Sequence, residues 1–157
     1  MRGAVIVIAV VAILLISATL FADGEENLSA GRGFGFGMEA GVPWGGLVSA
    51  RYWFTPQLGV EGIVFAWGEL PDLTGVFTGR LLYKLSDTEA VDFYITGGGT
   101  VPFSPYGENE LILSTAGGIE FSFPFAPNLA FNLEFGGAFS TVGRLMMAFG
   151  TGIHFYC

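Results

Sequence analysis

From residue 33 onward the chain alternates between two kinds of side chain with a period of two. GFGFGMEAGV at 33–42 sets Phe34, Phe36, Met38, Ala40 and Val42 on one side and Gly33, Gly35, Gly37, Glu39 and Gly41 on the other. Successive side chains of a β-strand point to opposite faces, so this pattern predicts a strand with one apolar face and one small or polar face. Helical spacing is not sustained, because glycine interrupts every window that would carry it. The alternation recurs in seven more runs, at 47–54, 58–67, 75–85, 90–99, 111–123, 129–139 and 145–155. Short polar stretches, TPQ at 55–57, SDTE at 86–89 and PFAPN at 124–128, read as turns. The connections at 43–46, 68–74, 100–110 and 140–144 alternate with them. Eight strands that repeat at a steady interval predict an all-β, up-and-down antiparallel meander in one domain.

The two faces decide what kind of meander this is. A soluble sandwich hides its apolar face and shows solvent a charged one. Here the second face is mostly Gly, Ser, Thr and Ala with about one charge per strand, and charged residues make up only 13% of the chain, where about 25% is usual. That face is a poor coat for water but suits the crowded interior of a narrow barrel. The apolar face runs about ten residues per strand, enough to cross a bilayer when tilted. Aromatic residues gather at strand ends: Tyr52, Phe54, Tyr83, Phe121 and Phe123. An apolar band with aromatic girdles predicts an eight-stranded transmembrane β-barrel whose apolar side chains face lipid, Phe36, Leu81, Phe93, Phe131 and Phe149 among them. A soluble periplasmic ligand-binding barrel, with its apolar face inside, is the alternative.

The N-terminus agrees with export. Arg2 precedes an apolar stretch at 4–16, and Ala22 stands before the acidic DGEEN. This order predicts a secretory signal peptide over 1–22, with an uncleaved anchor as the alternative. Residues 23–32 are then a periplasmic segment and 33–157 the barrel. Because three short turns fall on the side of both termini, that side is predicted to face the periplasm. With 14 acidic and 6 basic residues and a net charge of −8, the chain is not expected to bind nucleic acid. One cysteine, Cys157, makes no internal disulfide.

The inward parity collects one set of polar residues with chemistry: Glu39, Arg51, Glu61, Arg80, Lys84, Asp92, Glu120 and Glu134. Distance from the turns places Glu61, Lys84, Asp92 and Glu120 low, toward the termini, and Arg51, Arg80 and Glu134 near mid-depth. Arg51 is flanked by Glu39 and Glu61 on neighbouring strands, and Lys84 by Glu61 and Asp92, so these are the expected partners. Eight strands leave an interior just filled by side chains, which favours a salt-bridged plug over a narrow channel for small solutes. Catalysis is not expected: His154 is the only histidine, predicted to point inward at the periplasmic rim, and no His-x-Ser pairing accompanies it. Nor is a metal site, since His154 and Cys157 fall on opposite faces of a strand. GRGFGFG at 31–37 lacks the strand-before, helix-after context of a phosphate loop and reads as a strand with inward glycines. GGG at 97–99 reads as flexibility at the outer rim.

RYWFTPQLGVEG, a strand, a short turn and a strand opening on Gly and Glu, resembles the small eight-stranded outer-membrane barrels, the family of the membrane domain of outer membrane protein A and its single-domain relatives. The chain end AFGTGIHFYC is similar to the terminal-strand signal read by the barrel-assembly machinery, with Gly150, Ile153 and Phe155 at the matching positions. The resemblance covers about residues 31–155. It implies a monomer in the bacterial outer membrane, inserted by that machinery into lipid, with no cofactor, no catalytic role and a structural or surface-binding function.

Overall fold

A computed structural model describes residues 33–69, 72–86, 88, 90–104 and 110–157. The signal-peptide and N-terminal-segment expectations at 1–32 lie outside these residues, apart from the barrel that follows them. Eight strands are formed: β1 Phe34–Val42, β2 Val48–Trp53, β3 Leu58–Trp67, β4 Thr74–Ser86, β5 Val91–Phe103, β6 Ile112–Phe123, β7 Ala126–Ser140 and β8 Leu145–Tyr156. Each pairs antiparallel with the next, and β8 closes on β1 from Gly35↔Tyr156 to Val42↔Phe149. The protein is therefore all-β, a closed eight-stranded barrel in which every strand has two hydrogen-bonded neighbours and no edge is left open.

The barrel is strongly staggered. A rung starting at Gly35 passes Arg51, Glu61, Arg80, Gly98, Ser114, Ala138 and Met146. Carrying the β8–β1 register on sets Met146 opposite position 45, ten residues beyond the start. Such a shear requires strands inclined at about 35–45° to the barrel axis. Residues at equal distance from their turns therefore do not share a level.

Strand boundaries depart from the sequence pattern in two places. β5 runs on through TVPF to Phe103, because Thr100 continues the inward parity and hydrogen-bonds Thr78 at 2.8 Å. The stretch expected to open a long connection is thus ladder. β7 begins at Ala126, so the turn shrinks to Pro124 and Phe125, and a register shift at Ser122/Phe123 absorbs the extra residue. GGG at 97–99 accordingly sits within β5 and not at a rim, with Gly98 opposite Arg80.

Polarity is inverted relative to a soluble domain. Phe36, Leu81, Phe93 and Phe149 are exposed on the outside, Leu81 by 58%, and Phe131 is half-buried. Inside, three layers stack. Trp53, Leu82, Tyr94, Ala130 and Tyr156 fill the end where β1 begins and β8 finishes. Trp44, Ile63, Ala116, Ala138 and Ala148 fill the other. Glu39, Arg51, Glu61, Arg80, Glu120 and Glu134 lie between, while Lys84 sits with Asp92 against Trp53 of the first layer. Inward glycines make space for their large neighbours: a Cβ on Gly118 would fall 2.3 Å from the Tyr94 ring, and one on Gly98 would fall 2.5 Å from Cβ of Arg80. Cys157 is a free, exposed thiol.

Candidate functional site

Each of the eight inward charges anticipated from the sequence is buried. The centre is the rung Arg51–Glu61–Arg80, on three adjacent strands, β2, β3 and β4. Arg51 Nη2 donates to both Glu61 oxygens at 3.2 Å, and Arg80 Nε donates to Glu61 Oε2 at 2.7 Å. Across the lumen, Arg51 Nη1 donates to Glu120 Oε2 at 2.5 Å. Arg80 grips Glu134 with both terminal nitrogens, at 2.5 and 3.0 Å. Two tyrosines complete the carboxylate shells: Tyr156 donates to Glu120 at 2.9 Å and Tyr94 to Glu134 at 2.5 Å. Planar guanidinium forks suit such bidentate pairing and also stack on rings. Arg80 lies over Trp44 at 4.8 Å and Arg51 over Tyr94 at 5.5 Å.

Glu39 on β1 joins from the side. Its Oε1 is 3.6 Å from Arg80 Nη2, and its Oε2 accepts from Asn132 Nδ2 at 3.0 Å. His154 Nε2 lies 3.1 Å from Glu61 Oε1 and 2.9 Å from Ser49 Oγ, which itself donates to Glu61 at 2.6 Å. Lower in the barrel, Lys84 Nζ meets Asp92 at 3.1 Å and sits over the Trp53 ring at 4.7 Å. Every strand contributes a member, so the network ties the whole circumference together.

This arrangement corrects four expectations about depth and pairing. Glu61 and Glu120, placed low by their distance from the turns, belong to the central layer with Arg51, because shear displaces them along the axis. Arg51 pairs with Glu61 as expected, but Glu39 lies against Arg80 instead. Lys84 takes Asp92, also as expected, while Glu61 is held by the two arginines rather than by Lys84. His154 is not at the rim either; it is fully buried in the central layer.

Sequence parity carried Tyr94, Asn132 and His154 inward without naming their partners. Trp44 was missed. It lies in the β1–β2 connection, where Gly45 and Gly46 adopt φ of +60° and +114°, a backbone open to glycine, and Gly41 N donates to Gly45 O at 2.9 Å. This tight return swings the indole into the lumen against Gly41 and Gly150. No period-two signal reaches a loop residue, so nothing in the pattern could have found it.

Ser49, His154 and Glu61 do not form a nucleophile–base–carboxylate relay. Such a relay uses the two ring nitrogens for different partners. Here Ser49 and Glu61 both meet Nε2, Nδ1 has no hydrogen-bond partner, and all three residues are buried. Their contacts cross-link β2, β3 and β8. Glu39, Glu61 and His154 do bring one ligand atom each to within 4.8 Å of one another, a combination the sequence did not suggest because the three lie on separate strands.

Of the three residues at the terminal-strand signal, Ile153 and Phe155 point outward, and Phe155 packs on Phe36 with ring centroids 5.9 Å apart. Gly150 points inward beneath Trp44. No protein-family model matches the chain, and no curated protein matches it.

Proposed function

We propose that this chain is an integral protein of the bacterial outer membrane, a monomeric barrel with a side-chain-plugged interior and a structural or surface-binding role. The observation that carries the reading is the inverted polarity: eight charged side chains are sealed inside while large apolar side chains cover the outside. A soluble protein rarely leaves contiguous apolar surface beyond a few hundred Å² in water, whereas a bilayer solvates such a belt. Most strands have 9–15 residues, the length a tilted strand needs to cross hydrocarbon. Aromatic pairs near the rims, Tyr52 with Phe54 and Phe123 with Phe125, fit an interfacial girdle. The export-type N-terminus and the outward Ile153 and Phe155 of β8 support delivery to, and insertion by, the barrel-assembly machinery.

The central ion-pair layer between two apolar layers favours a plug over a conducting path. Neither catalysis nor a cofactor is part of this reading. Cell fractionation of a tagged protein tests it: the protein should pellet with outer membranes, resist alkaline extraction and shift its gel mobility on boiling. Recovery in the soluble periplasmic fraction would overturn it in favour of a ligand-binding barrel. Planar-bilayer recording should give no steady channel, and a reproducible unitary conductance would favour the solute-channel alternative.

A further inference from the structure

We propose that Glu39, Glu61 and His154 form a binding site for one divalent transition-metal ion of the zinc type inside the barrel. Their ligand atoms lie within 4.8 Å of one another, and all three side chains are buried. Carboxylate oxygen with imidazole nitrogen is a donor set that zinc accepts at about 2.0–2.2 Å. Such bonds separate neighbouring ligands by roughly 3.3 Å in a tetrahedron. His154 Nε2 and Glu61 Oε1 stand 3.1 Å apart, close to that edge.

Charge supplies the second argument. The central layer holds four carboxylates, Glu39, Glu61, Glu120 and Glu134, against two guanidinium groups, Arg51 and Arg80. Lys84 and Asp92 balance each other below it. Among the described residues, the formal count with all four carboxylates ionised leaves two negative charges in a compartment bounded by apolar layers, where an uncompensated charge is costly. One divalent cation beside a neutral histidine cancels them.

An unpartnered atom points to the same place. Asn132 Oδ1 has no hydrogen-bond partner, and Glu39 Oε1 accepts no hydrogen bond beside its 3.6 Å ion pair with Arg80 Nη2. Asn132 is fully buried, and its own amide nitrogen donates to Glu39 Oε2, so its oxygen lies beside the same carboxylate. Gly152 opposite keeps the space clear: a Cβ there would fall 2.0 Å from Glu39 Oε2 and 2.7 Å from Asn132 Oδ1. Asn132 Oδ1 or the Ser49 hydroxyl would serve as the fourth donor. Arg80 remains engaged by Glu61 Oε2 and Glu134. Because the site is enclosed, the ion enters as the barrel folds.

The test is metal content of the full protein, extracted from membranes in detergent, and of protein refolded with zinc or with cobalt(II). About one zinc per chain is expected, together with cobalt d–d absorption of a nitrogen–oxygen site. Glu39→Gln and His154→Gln should each lower zinc retention at least tenfold, while the Lys84→Met/Asp92→Asn pair should retain it. Boiling-dependent gel mobility confirms that each variant has folded. Should Glu39→Gln or His154→Gln fail to fold, the cobalt spectrum of the unaltered chain decides alone. Less than a tenth of an equivalent in both preparations with a featureless cobalt spectrum would overturn the site, as would undiminished zinc in both folded variants. The measurement is made on the folded barrel, so it stands or falls separately from where the protein resides in the cell.

Discussion

Arg51 and Arg80 each face more than one carboxylate, whereas among the described residues Lys84 makes its ion pair with Asp92. Removing one member of a buried pair strands the other charge at a cost of about 3–5 kcal/mol. Lys84→Met is expected to destabilise the barrel by about that much in chemical unfolding. Asp92→Asn in that background should recover part of the loss. Glu61→Gln should add its full cost to Lys84→Met, since Glu61 belongs to the arginines; recovery by Glu61→Gln would refute the assignment. Glycines allow an equally local contrast. Gly98→Ala drives a methyl into the Gly79 carbonyl and Arg80, and overpacking of this kind costs about 1–3 kcal/mol. Gly117 points outward with nothing within 4 Å of its missing Cβ, so Gly117→Ala should stay within about 0.5 kcal/mol of the unaltered protein.

Among the elements, the β1–β2 connection does more than join strands. Its Gly45–Gly46 return delivers Trp44 to the centre of the apolar layer at the loop end and lays it over Arg80. Trp44→Ala therefore removes both packing and a cation–π contact, and the expected loss is about 3–5 kcal/mol. Trp44→Phe, which keeps a ring, should recover part of it. Equal unfolding midpoints for the two variants would show that the ring does not contribute. At the opposite end, the β2–β3 turn is braced by Thr55 Oγ1, which accepts from Gln57 N and Leu58 N at 3.2 and 2.9 Å. The turn is therefore local chemistry, while the loop that carries Trp44 acts through the lumen.

For the molecule as a whole, the outward face is the place where membrane and water make opposite demands. Leu133 lies mid-strand on β7 and is exposed, and Phe125 sits in the β6–β7 turn. In a bilayer, Leu133→Arg should cost about 2–4 kcal/mol and Phe125→Arg only ~0–1 kcal/mol. Reversible denaturant unfolding in phospholipid vesicles measures both. In a water-exposed barrel, the two substitutions would be equally harmless, so equal values would count against the membrane reading.

Strand number, face assignment and the membership of the charged interior were legible in the sequence, because a period of two is a local property that needs no knowledge of neighbours. Glu39, Arg51 and Glu134 declare their side of the sheet from the residues immediately beside them. Who meets whom was not legible. That depends on closure of β8 on β1 and on a ten-residue stagger, which moves Glu61 and Glu120 into the level of Arg51 and leaves Lys84 with Asp92. Nor could the alternation place Trp44, which reaches the lumen from a loop, or extend β5 past its three glycines to Phe103. The two faces of each strand follow from the order of residues alone, since side-chain direction is set by backbone geometry one residue at a time. The partners follow from closure of the barrel, since height within it is set by the register summed over all eight strands.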